Sequence, residues 1–308
     1  MKFIAGVLAS ILGATGSASQ PTPEAIGQPQ TERSVRAYVT NFGGDGISVI
    51  DPSAHRLVAE VATGDKPHGV AIAPDGTAVY VSNEGSGTLS VIDPRSNEVL
   101  SNIDVGDRPN QIATSADGRH VFVTLNGADA VSVVDVEDRK VARVVPIGRR
   151  PHIAQRSPDG NIIYITCEGD MKLVALDAES WDVLHEIPLF GWPRVLAVTG
   201  DGAMAYQTMR WLNGVLIIDL RQRAVVDRIA FDASVFAPEG KDAHGPALTP
   251  DGRELWLTRQ TSNDVAVFGR AIESSSSVFP WVAIPTGSSS HLMAGSRSSA
   301  TRARTTSA

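Results

Sequence analysis

The sequence predicts an all-β fold of consecutive four-stranded sheets, a β-propeller, because three kinds of residue recur with a single spacing of 42. The aromatic series is Tyr38, Tyr80, Phe122, Tyr164 and Tyr206. The aspartate series is Asp51, Asp93, Asp135, Asp177 and Asp219. The turn-glycine series is Gly76, Gly118, Gly160 and Gly202. Units of about 40–45 residues with four strands each are typical of propeller blades, and three independent series in one phase exclude chance.

The first unit shows the four strands in order. Residues 37–40 and 47–50 alternate apolar and polar side chains, as half-buried strands do, and residues 56–61 form a third strand. Residues 68–73 form the fourth, which ends at the turn Pro74-Asp75-Gly76, where proline presets φ and glycine takes a positive φ. This fourth strand carries small residues at alternate positions, namely Gly69, Ala71 and Ala73. We therefore expect it to lie innermost, where the wedge-shaped blades converge.

The sixth unit is displaced, because Trp256 and Gly252 follow their predecessors by 50 residues. The eight extra residues lie between Asp219 and His244, within the segment 231–242. That segment is either a lid over the channel or simply a longer loop. Trp256 occupies the phase of Tyr38, which favours a place in the core.

Composition excludes several classes of protein. The 308 residues are 42% hydrophobic and 20% charged, which excludes a fully disordered chain, a collagen or a coiled coil. The net charge of −7 argues against a general nucleic-acid binder, which needs a basic footprint. The single cysteine, Cys167, excludes an internal disulfide, a paired-cysteine zinc site and covalent haem attachment. The absence of an 18-residue apolar run excludes an ordinary membrane span.

The N-terminus predicts export. Lys2, the apolar stretch 3–12 and the small residues 16–18 together resemble a secretory signal peptide, so we assign residues 1–18 to it. Residues 19–35 form a polar linker, and residues 36–268 carry the repeats. The expected location is the periplasm or the outside of the cell.

Residues 269–308 depart from the pattern, since Gly269 stands where an aspartate is due. A shift of the reading frame by one base turns both Trp281-Val282 and Met293-Ala294 into glycines 12 residues apart. Gly64 and Gly76 show the same spacing, and the codons between the new glycines permit Pro-His-Gly and Pro-Asp motifs in phase. We therefore interpret the tail as a frameshift of the last blades, the alternative being a genuine low-complexity tail.

The repeats resemble a known family. Residues 37–41 read Ala-Tyr-Val-Thr-Asn and residues 48–51 read Ser-Val-Ile-Asp, and related stretches recur at 79–83, 121–124 and 157–160. The sequence is similar to the YVTN β-propeller repeat proteins over residues 36–268. The resemblance implies a seven-bladed propeller, exported, in bacteria or archaea. It also implies surface proteins or accessories of redox systems, with haem d1 propellers as more distant relatives.

The loops that lead into the innermost strands carry the candidate ligand-binding residues. Five positions in phase are His68, Asn110, His152, Arg194 and His244. Close to them in sequence lie Lys66, Arg108, Arg149, Arg150 and Trp192. These loops meet at one mouth of the channel, which we expect to be basic and to attract a small anionic ligand or a partner segment. The alternative is that the histidines only cap neighbouring loop backbone.

Other chemistry finds less support in the sequence. A metal site needs ligands that converge on one ion, and His68, His152 and His244 belong to non-adjacent blades, so we expect them to lie too far apart unless the channel is narrow. Cys167 is expected to be a buried, inert thiol, and the Asp51 series to cap turns. No catalytic triad or phosphate loop is readable, and the sequence leaves the cofactor unknown.

Three hypotheses of function follow. The first is an exported binding module, which accompanies a periplasmic redox or catabolic system. The second is a propeller enzyme similar to lactonases or lyases, or a carrier of a haem d1-like cofactor. The enzyme hypothesis requires the three histidines to face one cavity with perturbed pKa values, and the carrier hypothesis requires a wide apolar opening. The third is a surface scaffold without a ligand.

Overall fold

The computed structural model describes residues 35–212, 214–230, 243–260, 262 and 264–269, and the bounds of a short strand at 282–283. All regular secondary structure in these residues is β-strand, which confirms the all-β prediction. The strands form six antiparallel sheets, so the seven-blade design implied by the resemblance is not supported by the part of the chain that is described. The predicted signal peptide and linker, the insertion 231–242 and nearly all of the tail lie outside the described residues.

The sheets follow one another along the chain. The first contains β1 (Ala37–Asn41), β2 (Gly46–Asp51) and β3 (Arg56–Ala62). The second contains β4 (Pro67–Ile72), β5 (Val79–Asn83), β6 (Thr88–Asp93) and β7 (Glu98–Asp104). The third contains β8 (Pro109–Thr114), β9 (His120–Leu125), β10 (Ala130–Asp135) and β11 (Lys140–Pro146).

The remaining sheets repeat the order. The fourth contains β12 (Pro151–Arg156), β13 (Ile162–Cys167), β14 (Lys172–Asp177) and β15 (Val183–Pro188). The fifth contains β16 (Pro193–Val198), β17 (Met204–Met209), β18 (Gly214–Asp219) and β19 (Ala224–Ala230). The sixth contains β20 (Ala243–Leu248), β21 (Glu254–Arg259), β22 (Asp264–Gly269) and β23 (Val282–Ala283).

The first strand of each four-stranded sheet is the innermost. Strands β4, β8, β12, β16 and β20 contact one another in succession, as strands that surround a channel do. In the first sheet no described strand occupies this place, so the inner edge of β1 is unpaired within the described residues. The turns that follow these strands have glycines with φ of 66–83°, at Gly76, Gly118, Gly160, Gly202 and Gly252, as the sequence predicted.

Strand β1 takes the second place in its sheet, and hydroxyl groups on β1 and on the second strands of the next four sheets tie neighbouring sheets together. Thr40, Ser82, Thr124, Thr166 and Thr208 each donate a hydrogen bond to a backbone carbonyl at the start of the next innermost strand. The carbonyls belong to His68, Asn110, His152, Arg194 and His244. Each bond spans two sheets, and it holds a residue of the predicted site series in place.

The aromatic series fills the interfaces between sheets. Tyr80, for example, is 2% exposed and packs in one cluster with Ile112, Val121 and Val123 of the next sheet. Trp256 holds the same phase but is 41% exposed, so its predicted place in the core is wrong for the described structure. The physical reason is that each of the other aromatics is covered by the sheet that follows it, and no described sheet follows the sixth.

Candidate functional site

A cavity of about 220 Å³ lies where the second strands end and the innermost strands begin. Its walls include all five members of the predicted phase series, which are His68, Asn110, His152, Arg194 and His244. Arg108 and Arg150 line it as well. Lys66, Arg149 and Trp192, which the sequence also predicted, do not line this cavity. The mouth therefore gathers seven of the ten predicted residues in one place, although their role in binding stays a prediction.

A repeated β-bulge positions the phase series. Strands β4 and β5 pair at Pro67 and Asn83, and pairing resumes only at Val70 and Val81, so His68 and Gly69 bulge out of the ladder. The same irregularity occurs at β8, β12, β16 and β20. In the first of these bulges the Gly69 amide donates to the Ser82 hydroxyl. The bulge thus re-aims one side chain per sheet towards the channel, a common use of this device.

A second ring of residues at the mouth was missed by the sequence reasoning. It consists of the residues that follow the second strands, which are Phe42, Glu84, Asn126, Glu168, Arg210 and Gln260. The first five of these are also spaced by 42, so the period itself was the signal that could have found them. This ring brings two carboxylates into a mouth that the sequence predicted to be basic.

The carboxylates are held by cationic neighbours. Arg194 Nη1 donates to Glu168 Oε1 at 2.5 Å, and the Glu168 side chain is only 2% exposed. Glu84 Oε2 lies 3.1 Å from His68 Nδ1, and Glu84 Oε1 lies 3.5 Å from Arg108 Nη2. Burial raises the pKa of Glu84, but His68 and Arg108 together outweigh burial, so the pKa lies below its ordinary value.

The site keeps an excess of positive charge despite these carboxylates. Four arginines line the cavity against two glutamates among the described residues: Arg108, Arg150, Arg194 and Arg210 against Glu84 and Glu168. Burial, and then the neighbouring Arg194, lower the pKa of Arg210. The mouth is therefore cationic, as predicted, but it contains ion pairs that the sequence did not predict.

Two of the histidines lie close together across the channel. The ring centroids of His68 and His152 are 5.7 Å apart, which corresponds to the narrow channel that the sequence analysis left open. The cause is that residues in bulges on non-adjacent innermost strands converge across a narrow channel. Even so, no group of three or more histidine, cysteine or carboxylate side chains in the described residues is placed to hold a metal ion.

The two deeper histidines are neutral at physiological pH. His152 is 2% exposed, and burial, followed by Arg194 and the other two histidines, lowers its pKa far below the ordinary value. Burial and the same arginine lower the pKa of His244 to about 4. Both ring nitrogens of His152 and the side-chain oxygen of Asn110 are buried without a hydrogen-bond partner among the described residues. Such unpaired groups are unfavourable unless a ligand or water satisfies them.

A pair of tilted tryptophan rings borders the mouth. The rings of Trp192 and Trp211 lie 5.2 Å apart, and the guanidinium of Arg150 lies 5.0 Å from the centre of the Trp192 ring. Trp192 thus contacts the site through Arg150 rather than lining it. Arg149 instead pairs with Asp170 at 2.6 Å, and Lys66 is exposed at the rim.

The other predicted residues occupy structural places. Cys167 is fully buried, and burial raises the pKa of its thiol to about 12, as expected for an inert cysteine. The Asp51 side chain accepts hydrogen bonds from the amides of Ser53 and Ala54, and equivalent turn caps occur at Asp93, Asp135, Asp177 and Asp219. These aspartates close turns at the end of the sheets opposite the mouth.

Comparison with known proteins agrees with this architecture. The model of the YNCE-like β-propeller family matches residues 3–105 and 101–246. The chain belongs to the YNCE-like β-propeller family. The search of curated proteins found no match to it.

Two solved structures share the fold of this chain. The Kuenenia stuttgartiensis hydrazine synthase superposes with a TM-score of 0.65 at 22% identity, over 76% of this chain and 73% of that one. A protein of unknown function from Desulfotomaculum acetoxidans superposes with a TM-score of 0.66 at 17% identity, over 80% of this chain and 81% of that one. Identities this low show a shared fold alone. Among the described residues no helix is long and apolar enough to cross a bilayer.

Proposed function

We propose that this YNCE-like propeller is a binding module that holds a small anion at the cationic mouth of its channel. The observation that carries the proposal is the convergence of four arginines with the unpaired buried imidazole of His152 on one cavity. An anion would neutralise the excess positive charge, and its oxygens would accept hydrogen bonds from the arginines and from the neutral imidazole of His152.

The size and polarity of the cavity narrow the ligand class. At about 220 Å³ it is smaller than the 300–1,000 Å³ pockets that hold drug-sized ligands, so a compact oxyanion such as a short carboxylate or phosphate fits best. A haem d1-like cofactor needs a wide apolar opening, and this small cavity with its six charged residues does not fit such a group. We therefore derive no function through a haem.

Titration calorimetry with sodium phosphate, sodium sulfate and sodium oxalate, each taken separately, tests the proposal. At least one of these anions should bind, and the double variant Arg108→Gln/Arg150→Gln should bind it about tenfold more weakly, because two rim charges are lost. The matched control is Arg95→Gln/Arg221→Gln, which removes two exposed charges from turns at the opposite end. Binding of none of the three anions, or equal weakening by the control, would refute the proposal.

The histidines favour a second candidate, a propeller enzyme that acts on an anionic substrate. All three line one cavity, and the pKa values of His152 and His244 are lowered, so these two histidines meet both parts of the condition stated for an enzyme. A neutral imidazole that is held beside a bound anion can serve as a general base. The variant His152→Gln separates the two candidates. An enzyme would lose turnover and still bind anions, whereas a binding module shows no turnover in either form.

We further propose that the protein works outside the cytoplasm, beside a redox or catabolic system. The support is the charged start, apolar stretch and small residues of segment 1–18. A fusion of residues 1–35 to alkaline phosphatase, which is active only after export, tests this. An active fusion supports export, and an inactive fusion retained with its leader refutes it.

A further inference from the structure

A second cavity, of about 470 Å³, lies at the opposite end of the channel. It shares no lining residue with the mouth cavity, and its walls come from the far ends of β4, β8, β12 and β16. Its lining combines apolar residues with the polar side chains of Thr114, Gln155, Arg156 and Ser157. Of the larger apolar residues, Val70 and Ile112 are buried in the core, whereas Ile72 and Val198 are half-buried. Along β12, His152 lines the mouth cavity and Ala154 to Arg156 line the second cavity. Arg156 follows His152 by four positions, which is about 13 Å of extended strand.

Of the five innermost strands that the structure describes, one breaks the repeat at this end of the channel. The last position of the innermost strand is Ile72, Thr114, Val198 and Leu248 in four sheets, but it is Arg156 in the fourth sheet. The preceding position is alanine in the same four sheets and Gln155 in the fourth sheet. The pair Gln155-Arg156 thus replaces an alanine and an uncharged residue. The other four blades fold without a charged residue at this place.

Arg156 is held in place, but its charge is unpaired. Its Nη1 donates to the backbone carbonyls of Thr114 and Ser115 in the neighbouring sheet, at 3.2 and 2.8 Å. No described carboxylate lies within ion-pair distance of the guanidinium, and burial alone lowers its pKa. One edge of the guanidinium is therefore fixed to the protein, while Nε and Nη2 keep donors that no described group accepts.

A cation of this kind beside half-buried apolar side chains selects a ligand with one negative end and an apolar body. We propose that this second cavity binds an amphiphilic monocarboxylate, whose carboxylate pairs with Arg156 and whose hydrocarbon part packs against Ile72 and Val198. The volume lies within the 300–1,000 Å³ range of small-molecule pockets. Charge complementarity decides the anionic end, and the single cation favours a monoanion over a phosphate.

The proposal does not rest on the anion at the mouth, because the two cavities share no residue. If Arg156 served only to clamp the neighbouring sheet through Thr114 and Ser115, the cavity would show no preference for a carboxylate. The two explanations therefore differ in the selectivity of the wild-type protein.

The test is titration calorimetry of the full chain with three probes of equal chain length, namely sodium octanoate, 1-octanol and octylammonium chloride. Octanoate should bind with 1:1 stoichiometry, at least about tenfold more tightly than octanol, and octylammonium should not bind. This comparison needs no variant, so it remains decisive even if a substitution at Arg156 prevents folding. Failure of octanoate to bind, or equal binding of the three probes, would overturn the proposal.

Variants locate the site. Arg156→Met keeps the length of the side chain and removes its charge, so it should weaken octanoate binding about tenfold or more and leave octanol binding unchanged. The mouth variant Arg108→Gln/Arg150→Gln should bind octanoate as the wild type does. Loss of octanoate binding in the mouth variant, with binding retained in Arg156→Met, would assign the octanoate to the mouth and refute the second site.

Discussion

Replacement of Arg194 by methionine should destabilise the protein, because the buried carboxylate of Glu168 would lose its partner. Glu168 is 2% exposed at its side chain and Arg194 is 20% exposed. Removal of one member of a buried ion pair costs about 3–5 kcal/mol in the free energy of unfolding. The partial exposure of Arg194, and the electrostatic interaction of Arg210 with Glu168, place the expected loss near the lower end, at about 3 kcal/mol.

The assay is thermal and urea unfolding of Arg194→Met, with tryptophan fluorescence as the signal. For a domain of this size, each kcal/mol lost lowers the melting temperature by about 2–4 °C. A loss of about 3 kcal/mol should therefore lower the melting temperature by about 6–12 °C. The double variant Arg194→Met/Glu168→Gln should recover most of the loss, since no buried charge remains. Arg95→Gln, in an exposed turn, should change the stability by less than about 0.5 kcal/mol. A loss below about 1 kcal/mol in Arg194→Met, or a double variant no more stable than the single one, would refute the reasoning.

Four further predictions test other parts of the structure. Thr124→Val removes the hydroxyl that donates to the carbonyls of Gln111 and His152, so the free energy of unfolding should decrease by about 1–3 kcal/mol. Thr77→Val, at an exposed position, should not show this decrease. Cys167, with its pKa raised to about 12, should react with a thiol reagent at pH 8 only in denaturant, and rapid labelling of the native protein would contradict its burial. His244 should titrate near pH 4 by NMR. Because the pKa of His244 in the folded protein lies below the unfolded value of 6.5, its contribution to stability is present above pH 6.5 and is lost as the pH falls towards 4. A titration midpoint near pH 6.5 for His244 would count against its buried position. Resequencing of the gene beyond codon 268 should reveal an in-phase Pro-Asp-Gly in the shifted frame, since Trp256 is 41% exposed where its five equivalents are covered by a following sheet; its absence would reject the frameshift.

The strand pattern was predictable because the side-chain period of a strand and the repeat of the blade are both local properties. In the first unit the predicted strands 37–40, 47–50 and 56–61 agree with β1, β2 and β3 to within one residue. The turn chemistry was predictable for the same reason, because Asp51 and Gly76 act on backbone groups only a few residues away. The phase of His68 and its equivalents likewise placed them at one end of the channel.

The composition of the mouth was predictable only in part. The loops that lead into the innermost strands predicted Arg108, Arg150 and the five phase residues. Their partners Glu84 and Glu168 lie in a different loop of each repeat, the one that follows the second strand. Arg149 and Arg150 are adjacent in sequence and of one chemical type, yet Arg149 pairs with Asp170 and Arg150 lines the cavity. Sequence spacing does not distinguish these two, because their directions depend on the local backbone, and Arg150 has a positive φ of 54°.

By itself, the sequence determined the repeat, the four strands of each unit and the end of the channel at which the polar loops meet, because each depends on residues close together in the chain. The tertiary structure decided how far apart the histidines are, which arginines are paired and that the far cavity contains an unpaired cation. These properties depend on distances between side chains of different loops and sheets, such as Arg149 and Asp170, 21 residues apart in sequence, or Arg194 and Glu168, 26 residues apart. Burial then sets their charge states, since a neutral His152 and a partnered Glu168 exist only where water is excluded.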